Sequence, residues 1–412
     1  MKKPCKNPQE IFDYFPRLYG EIRQDQKDRF NKLFDSFCKR FDESFAYFAS
    51  SSGRVEVLGN HTDHNGGLVL SSAISLDTIC AFLPTDDTKI TLFSEGFGVF
   101  EVDLENLSDF KPSSTKSLIV GICDYYLKNN NKIGGFKACC SSNVIGGAGI
   151  SSSASFEVLI AEILNFLYND GNISCEEKTD ACWYAENVFF GKPCGKLDQA
   201  AIAFGGLNLI DFSNEDKIIV RGLDCEMDAY SFVLINTGGS HENLTDEYAS
   251  IPLEMKQVAN FFGKERLINF SKEDFFDKLS IIDNSISDRA ISRAIHFYQE
   301  NERVMLAYDS LKSSNYDKFV ECVNNSGVSS ISKLQNCYVE GAKKQPILKT
   351  LSILSTFIKG GAIRVHGGGF AGCVLSVVKN SYLNEFVDKC NAVFGKHNVI
   401  PLKIRSIGTI VL

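Results

Sequence analysis

Residues 53–67 read GRVEVLGNHTDHNGG, and this stretch limits what the rest of the chain can be. Val55, Val57 and Leu58 form a short alternating apolar run, the pattern of a half-buried strand. Asn60, His61, Thr62, Asp63, His64 and Asn65 follow without an apolar break, and two glycines lead into a second apolar run at 68–70. Polar groups held this closely between two strands suit a pocket that hydrogen-bonds a polyhydroxylated ligand. An ordinary hairpin loop uses the same residue types, since Asn, Asp and Gly favour turns. On its own the stretch leaves both readings open.

A second constraint lies at 146–155, GGAGISSSAS, directly before the apolar, helix-forming segment 156–168. A Gly- and Ser-rich loop that opens a helix is a physical anion site. The glycines allow close backbone approach, free N–H groups point outward and the helix dipole favours negative charge. Serine hydroxyls can bond phosphate oxygens or ligate Mg²⁺. A flexible loop with a serine N-cap is the plainer alternative, but three consecutive serines at the junction favour phosphate. Two similar patterns fail on context. Residues 191–196 (GKPCGK) are one residue short of a P-loop and lack the following Ser or Thr. Gly367, Gly369 and Gly372 satisfy GxGxxG, yet the apolar run at 373–378 after them predicts a strand, and a dinucleotide fingerprint must open a helix. Protein-kinase HRD and DFG signatures are lacking.

The helical pattern 180–190 runs into Pro193 and Gly195, which should break it and present Asp198 on a turn or at a new helix start. There a carboxylate serves equally well as a general base or as a helix N-terminal charge.

The wider chain is predicted to alternate helices and strands. Phe30, Leu33, Phe34, Phe37 and Phe41 mark one face of a helix. Strands are expected at 69–74, 78–82, 90–93, 99–102, 134–141, 205–212 and 231–236, with late strands within 362–378 and 399–412. Helices are expected at 117–127 and 290–311. Residues 1–25 give no clear pattern. A polar turn at 213–216 predicts two domains, 1–212 and 213–412. The length of 412 residues accommodates them.

Composition excludes several function classes. A formal charge of −8 speaks against a nucleic-acid surface. No apolar run approaches bilayer length, and no apolar leader follows Met1-Lys2-Lys3, so a cytoplasmic location is expected. The 14 cysteines are scattered without a CxxC pair, the usage of reduced thiols. With 32 Phe and one Trp, the core should be built on Phe, Leu and Ile.

Four ordered motifs resemble the GHMP small-molecule kinases, and among them the galactokinases. GRVEVLGNHTDHNGG is similar to the galactokinase signature, GAGISSSAS at 147–155 to the family's phosphate loop, and RVHGGGFAGC at 364–373 to its third, glycine-rich motif. AENVFFGKPCGKLDQ at 185–199 carries the position of the family's catalytic aspartate. The likeness covers nearly the whole chain. It implies an α+β fold in which an N-terminal domain resembling ribosomal protein S5 and a C-terminal α+β domain hold the active site between them.

The resemblance further implies an ATP-dependent sugar 1-kinase acting on galactose, a monomer, with Mg²⁺ as cofactor and no nucleic-acid or membrane partner. Asp198 matches the residue that takes the proton of the anomeric hydroxyl, and Arg54 the arginine beside it. Ser152, Ser153 and Glu186 match Mg²⁺-holding positions. Gly147, Gly149, Ser151, Ser152 and Ser153 match ATP-binding ones. Asn60, His61, Asp63, Gly195 and Tyr248 match sugar-contacting ones. Three positions depart from the family pattern. Asn60 stands where Glu is usual, His64 where Tyr is usual and Ala371 where Gly is usual. A carboxylate facing C6 of the sugar repels a uronic acid, whereas an amide can donate to it, and HTDHNGG also resembles plant galacturonate kinases. Galacturonate is therefore the alternative substrate. A non-catalytic sugar and ATP sensor is the alternative of another class, disfavoured by the presence of the serine loop, Arg54 and Asp198.

Overall fold

The chain opens with a short helix, α1 (Phe15–Tyr19), and an amphipathic one, α2 (Gln24–Phe41). The apolar face of α2 carries Phe30, Leu33 and Phe37, all buried. This computed structural model describes residues 2–412 except 148, 193, 216, 225, 226, 228, 240–243, 283 and 284. The break expected at Pro193, the end of the turn expected at 213–216 and Ala148 of the glycine loop lie outside the described residues.

Two long strands, β1 (Tyr47–Leu58) and β2 (Leu68–Pro84), pair antiparallel and frame the polar segment between them. β1 bulges between Ser52 and Arg54. A bulge re-aims the side chain beside it, and here that side chain is Arg54. Gly53 fills the bulge because a Cβ there would stand 2.7 Å from the carbonyl oxygen of Ile150. The Arg54 N–H donates to that same carbonyl at 3.2 Å.

Next come β3 (Lys89–Ser94), β4 (Gly98–Asp103), α3 (Thr115–Lys128) and β5 (Phe136–Ser142). They are followed by α4 (Ser152–Tyr168), α5 (Cys175–Tyr184), α6 (Leu197–Phe204), β6 (Leu207–Asp211) and β7 (Ile219–Leu223). The main path of the larger sheet runs β12–β1–β2–β5–β3–β4, where β12 is Ile410–Val411, and β6 joins β2 to β7. Only β3 and β5 pair in parallel among these strands. Helix α2 covers one face, with Phe30 and Phe37 against Phe48, Ile79 and Ala81. On the other face α3, α4 and α5 pack Ile119, Val158 and Ala181 onto Phe82 and Phe136.

The second half supplies β8 (Tyr230–Asn236), α7 (Thr245–Phe261), α8 (Lys272–Asp277), α9 (Asp288–Lys312), α10 (Tyr316–Ser329), α11 (Pro346–Ser355), β9 (Ala362–Val365), β10 (Cys373–Lys379), α12 (Leu383–Phe394) and β11 (Val399–Leu402). A smaller antiparallel sheet orders β11–β8–β10–β9. Its Leu234 and Leu375 share one apolar cluster with Val55, Val57 and Leu58 of β1 and with Val304 and Val323 of α9 and α10. No helix among the described residues is long and apolar enough to cross a membrane.

Most expected elements appear, with physical exceptions. The expected strands 69–74 and 78–82 are one strand, β2. It continues through Asp77 because that buried carboxylate accepts from Tyr19 Oη at 2.7 Å and Ser50 Oγ at 2.5 Å and pairs with Arg29. The expectation of a half-buried β1 fails because helices and the smaller sheet cover both its faces. The expected helix 180–190 is α5 followed by a π-helical turn, Ala185–Phe190. The strand after Gly372 is β10, as the apolar run at 373–378 indicated. The larger sheet also takes β7 and β12 from beyond residue 212.

Candidate active site

The Arg54 side chain leaves its bulge toward the first turn of α6. Its Nε donates to Asp198 Oδ1 at 2.9 Å, and its Nη2 stands 2.8 Å from the same oxygen. Its Nη1 donates to the carbonyl of Gly149, and the hydroxyl of Ser151 donates to Asp198 Oδ2. One buried arginine thus ties the carboxylate on α6 to the glycine loop. Burial alone would raise the Asp198 carboxyl. The adjacent Arg54 charge and the Ser151 and Arg54 hydrogen bonds outweigh it, so the group lies below the usual carboxylate range.

The loop has the form expected of an anion cradle. Gly147 and Gly149 adopt φ of +77° and +69°, which an L side chain rarely tolerates. Ser151 caps α4 in the left-handed region at φ 63°. Strain of this kind collects at ligand sites, and here it turns the Ser151 hydroxyl onto Asp198 instead of onto the helix. Ser152 and Ser153 form the first turn of α4.

The polar segment forms the adjoining wall. Asp63 begins a short 3-10 turn, Asp63–Asn65. Gly195 is required opposite it, since a Cβ there would fall 2.1 Å from Asp63 Oδ2. His61 Nε2 lies 2.9 Å from the Gly368 carbonyl, and burial together with neighbouring His64 holds its ring down to about 3, hence neutral. Tyr248, on α7, donates from its hydroxyl to the Gly369 carbonyl at 2.7 Å, and its ring leaves no room for a side chain at Gly368. Asn60 is fully buried. Its Nδ2 donates to Glu56 Oε1 at 2.9 Å and to the Gly367 carbonyl at 2.6 Å, while its Oδ1 accepts from Asn336 Nδ2 at 2.6 Å. The amide is therefore held inside the wall.

Glu186, in the π-helical turn, belongs to a neighbouring cluster. Lys192 Nζ pairs with its Oε1 at 2.7 Å, and Gln199 Nε2 donates to its Oε2 at 2.8 Å. The same Gln199 nitrogen reaches Glu157 Oε2 at 3.2 Å, and Glu157 Oε1 has no partner. Burial and the nearby Glu186 charge raise the Glu157 carboxyl well above its ordinary range. Among the described residues no three His, Cys, Asp or Glu side chains form a metal cage. Two carboxylates beside a phosphate loop, one with an orphaned oxygen, fit an ion such as Mg²⁺ that keeps its waters and binds phosphate oxygens.

The structure thus brings Arg54, Gly149, Ser151 and Asp198 into one hydrogen-bonded group and sets Asp63 against Gly195. Asn60, His61 and Tyr248 meet the glycine-rich turn 367–369, and Glu186 sits behind α6. Sequence reasoning passed over Glu56, Glu157, Lys192, Asn336 and His366. Glu157 had a signal, lying one helical turn after Ser153. Lys192 and His366 were inside motifs already singled out. Glu56 also lay inside such a motif, 53–67, and Asn336 had no signal beyond its polarity. A separate cavity of about 670 Å³, bordered by Arg17, Leu223, Tyr230 and Lys403 among others, shares no residue with this group.

Comparison with known proteins places this geometry. The family model for the galactokinase galactose-binding signature matches residues 35–84, and that for the GHMP kinase N-terminal domain matches 117–206. Galactokinase of Clostridium tetani is 30% identical over 369 residues, covering 89% of this chain and 92% of the relative. Galactokinase of Clostridium acetobutylicum is also 30% identical, over 376 residues, covering 89% and 93%. The Lactococcus lactis galactokinase crystallised with galactose superposes with a TM-score of 0.81 at 25% identity, covering 93% of this chain and all of that one. Mevalonate kinase of Methanococcus jannaschii, at 16% identity and a TM-score of 0.62, shares the fold over 87% of this chain. The chain has the GHMP kinase fold, and it belongs to the galactokinase family of sugar kinases.

Proposed function

We propose that this protein transfers the terminal phosphoryl group of ATP to the anomeric hydroxyl of galactose, as a cytoplasmic monomer. The observation that carries the reading is the Arg54–Asp198 pair held against the Gly149–Ser151 loop. Asp198, kept ionised by Arg54, accepts the proton of the sugar hydroxyl as it attacks, and Arg54 remains to offset charge on the moving phosphoryl group. Gly147, Gly149 and the serines at 151–153 cradle the phosphate chain with backbone N–H groups and hydroxyls. Asp63 and His61, on the strand-linking segment, orient the sugar, with Gly195 leaving space beside Asp63. Positioning of this kind removes much of the entropic barrier to transfer.

Glu186, with Ser152 or Ser153, would hold Mg²⁺, and Lys192 would have to release Glu186 for it. The ion, when bound, neutralises phosphate charge. Tyr248 acts through the turn 367–369 that it braces.

Galactose is preferred over galacturonate because of what stands behind Asn60. The resemblance assigns this position to C6 of the sugar. The amide donors there are already taken by Glu56 and Gly367, and Glu56 itself is a carboxylate 2.9 Å away. A C6 carboxylate would find both Asn60 N–H groups taken, while Glu56 is already paired with Arg364 at 3.2 Å. The test is ADP formation by purified protein with galactose and with galacturonate in parallel. Galactose should be strongly preferred. Preference for galacturonate overturns the substrate, and absence of turnover across hexoses and uronic acids leaves a sensor.

A further inference from the structure

His366 follows β9 and is 2% exposed. Its Nε2 accepts a hydrogen bond from the backbone N–H of Glu56 at 3.1 Å. A backbone N–H can only donate, so Nε2 is the bare nitrogen. A neutral imidazole then carries its proton on Nδ1. Burial and the Arg54 and Arg364 charges keep the ring neutral, well below its usual range. Nδ1 is therefore a fixed N–H donor, and it has no partner. Buried donors are nearly always satisfied, so this one needs an explanation.

Its place beside the glycine loop supplies one. A Cβ built on Gly149 would lie 3.6 Å from His366 Nδ1, and no other atom among the described residues outside its own chain neighbours comes within 4 Å. The missing side chain of Gly149 leaves room for an atom 3.6 Å from the buried, unpartnered Nδ1. The Gly149 carbonyl accepts from Arg54, which in turn pairs with Asp198. An acceptor atom in this space would sit beside the glycine loop that Arg54 ties to Asp198.

We propose that His366 donates through Nδ1–H to a terminal phosphoryl oxygen of the nucleotide lodged beside Gly149, making it a ligand-contacting residue of the phosphate site. The inference rests on the kinase reading above. The Glu56 N–H acts as the positioning group, since it fixes the tautomer that presents the donor. Neutrality is useful here: a fixed uncharged donor can recognise a phosphoryl oxygen without drawing Asp198 away from Arg54.

Two substitutions separate donor from scaffold. His366→Gln places its side-chain oxygen where Nε2 was and keeps an acceptor for Glu56, but loses the Nδ1 donor. His366→Asn can keep a donor near the Nδ1 position and leaves the Glu56 N–H without its acceptor. A hydrogen bond to a charged group corresponds to at least about a tenfold change. His366→Gln should therefore lower kcat/KM for ATP by about tenfold or more, with the melting temperature and the sugar KM near those of the parent. Its affinity for a non-hydrolysable ATP analogue should fall in parallel, while ADP affinity should be unchanged. His366→Asn should melt lower yet recover most of kcat/KM for ATP. Parental kcat/KM or analogue affinity in His366→Gln overturns the inference. So does an equal loss of analogue and ADP affinity, or a folded His366→Asn that shows no recovery. Should His366→Asn not fold, the analogue and ADP affinities of His366→Gln decide. A parent protein that forms no ADP with any sugar refutes the kinase reading instead, and is seen before either variant is made.

Discussion

The two walls of the site are built on opposite principles. Along 59–67 the polar atoms are matched within the protein. Thr62 Oγ1 lies 2.8 Å from the Gly59 carbonyl and 2.7 Å from the Leu68 carbonyl, its one proton shared between them, Asn65 Oδ1 accepts from the Leu267 N–H at 3.3 Å, and Asn60 is held at three points. At Gly147, Gly149 and Ser151 the backbone is left-handed, and around the two glycines it is open. Gly146 and Gly147 have nothing within 4 Å of a built Cβ, and the neighbouring His366 donor is unmatched. The amides and the Thr62 hydroxyl of the first wall are bonded within the protein, with the Asp63 carboxylate left beside Gly195, whereas the second wall holds an unmatched donor. Damage to Asn60, Thr62 or Asn65 should therefore appear mainly as lost stability. Damage to the second, and to the Asp198–Arg54 pair it holds, should appear mainly as lost turnover.

The sharpest check of that contrast is Asp198→Asn. It should lower kcat by about a thousandfold while ATP binding, measured by calorimetry, persists. Near-normal turnover would remove the base. Arg54→Met comes next, with an expected loss in kcat of about a hundredfold. It also carries a signed pH effect. Arg54 holds the Asp198 carboxyl down, so its loss raises that group and moves the acid limb of kcat/KM to higher pH. An unmoved limb would mean that Arg54 does not tune Asp198.

Asn60→Ala tests the other wall. It strips a partner from Glu56, the Gly367 carbonyl and Asn336. The cost should be about 1–3 kcal/mol in denaturant unfolding, and parental stability would break the comparison. The wall should also weaken in acid. Burial holds His296, which donates to the Asn60 carbonyl at 3.0 Å, down to about 4. The unfolded chain takes up that proton near pH 6.5 and the folded chain does not, so stability should fall as pH drops from about 6.5 toward 4. His296→Gln should flatten that slope. The smallest effect on turnover is expected from Ser151→Ala, a loss in kcat of about tenfold from one hydrogen bond to the ionised Asp198.

Legibility in the sequence followed the same divide. Loop chemistry is local, so the glycines, Ser151 and Asp198 stood out from spacing and residue type, and the family resemblance paired Arg54 with Asp198. The closed wall depends on distant partners. Nothing near Asn60 announces Asn336, Gly367 or His296, because the three are joined to it only by the fold. Asn60 consequently looked like a group facing sugar, whereas its amide is occupied from behind. β2 misled for a related reason. Asp77 resembles a strand breaker until Tyr19, Arg29 and Ser50 are brought to it. Residues 1–25 gave no clear pattern because Phe15, Leu18 and Tyr19 find their apolar partners only when α2 and the sheet are in place.

The edge of β1 carries a consequence for synthesis. The strand that presents Arg54 is made early, yet its neighbour on one side is β12, through the pairs Ala49–Val411 and Ser50–Ile410. The Leu412 N–H closes the ladder onto Phe48, and Arg405 reaches back to Ser50. A growing chain on the ribosome therefore carries an unfinished edge beside its catalytic strand until residues 405–412 emerge.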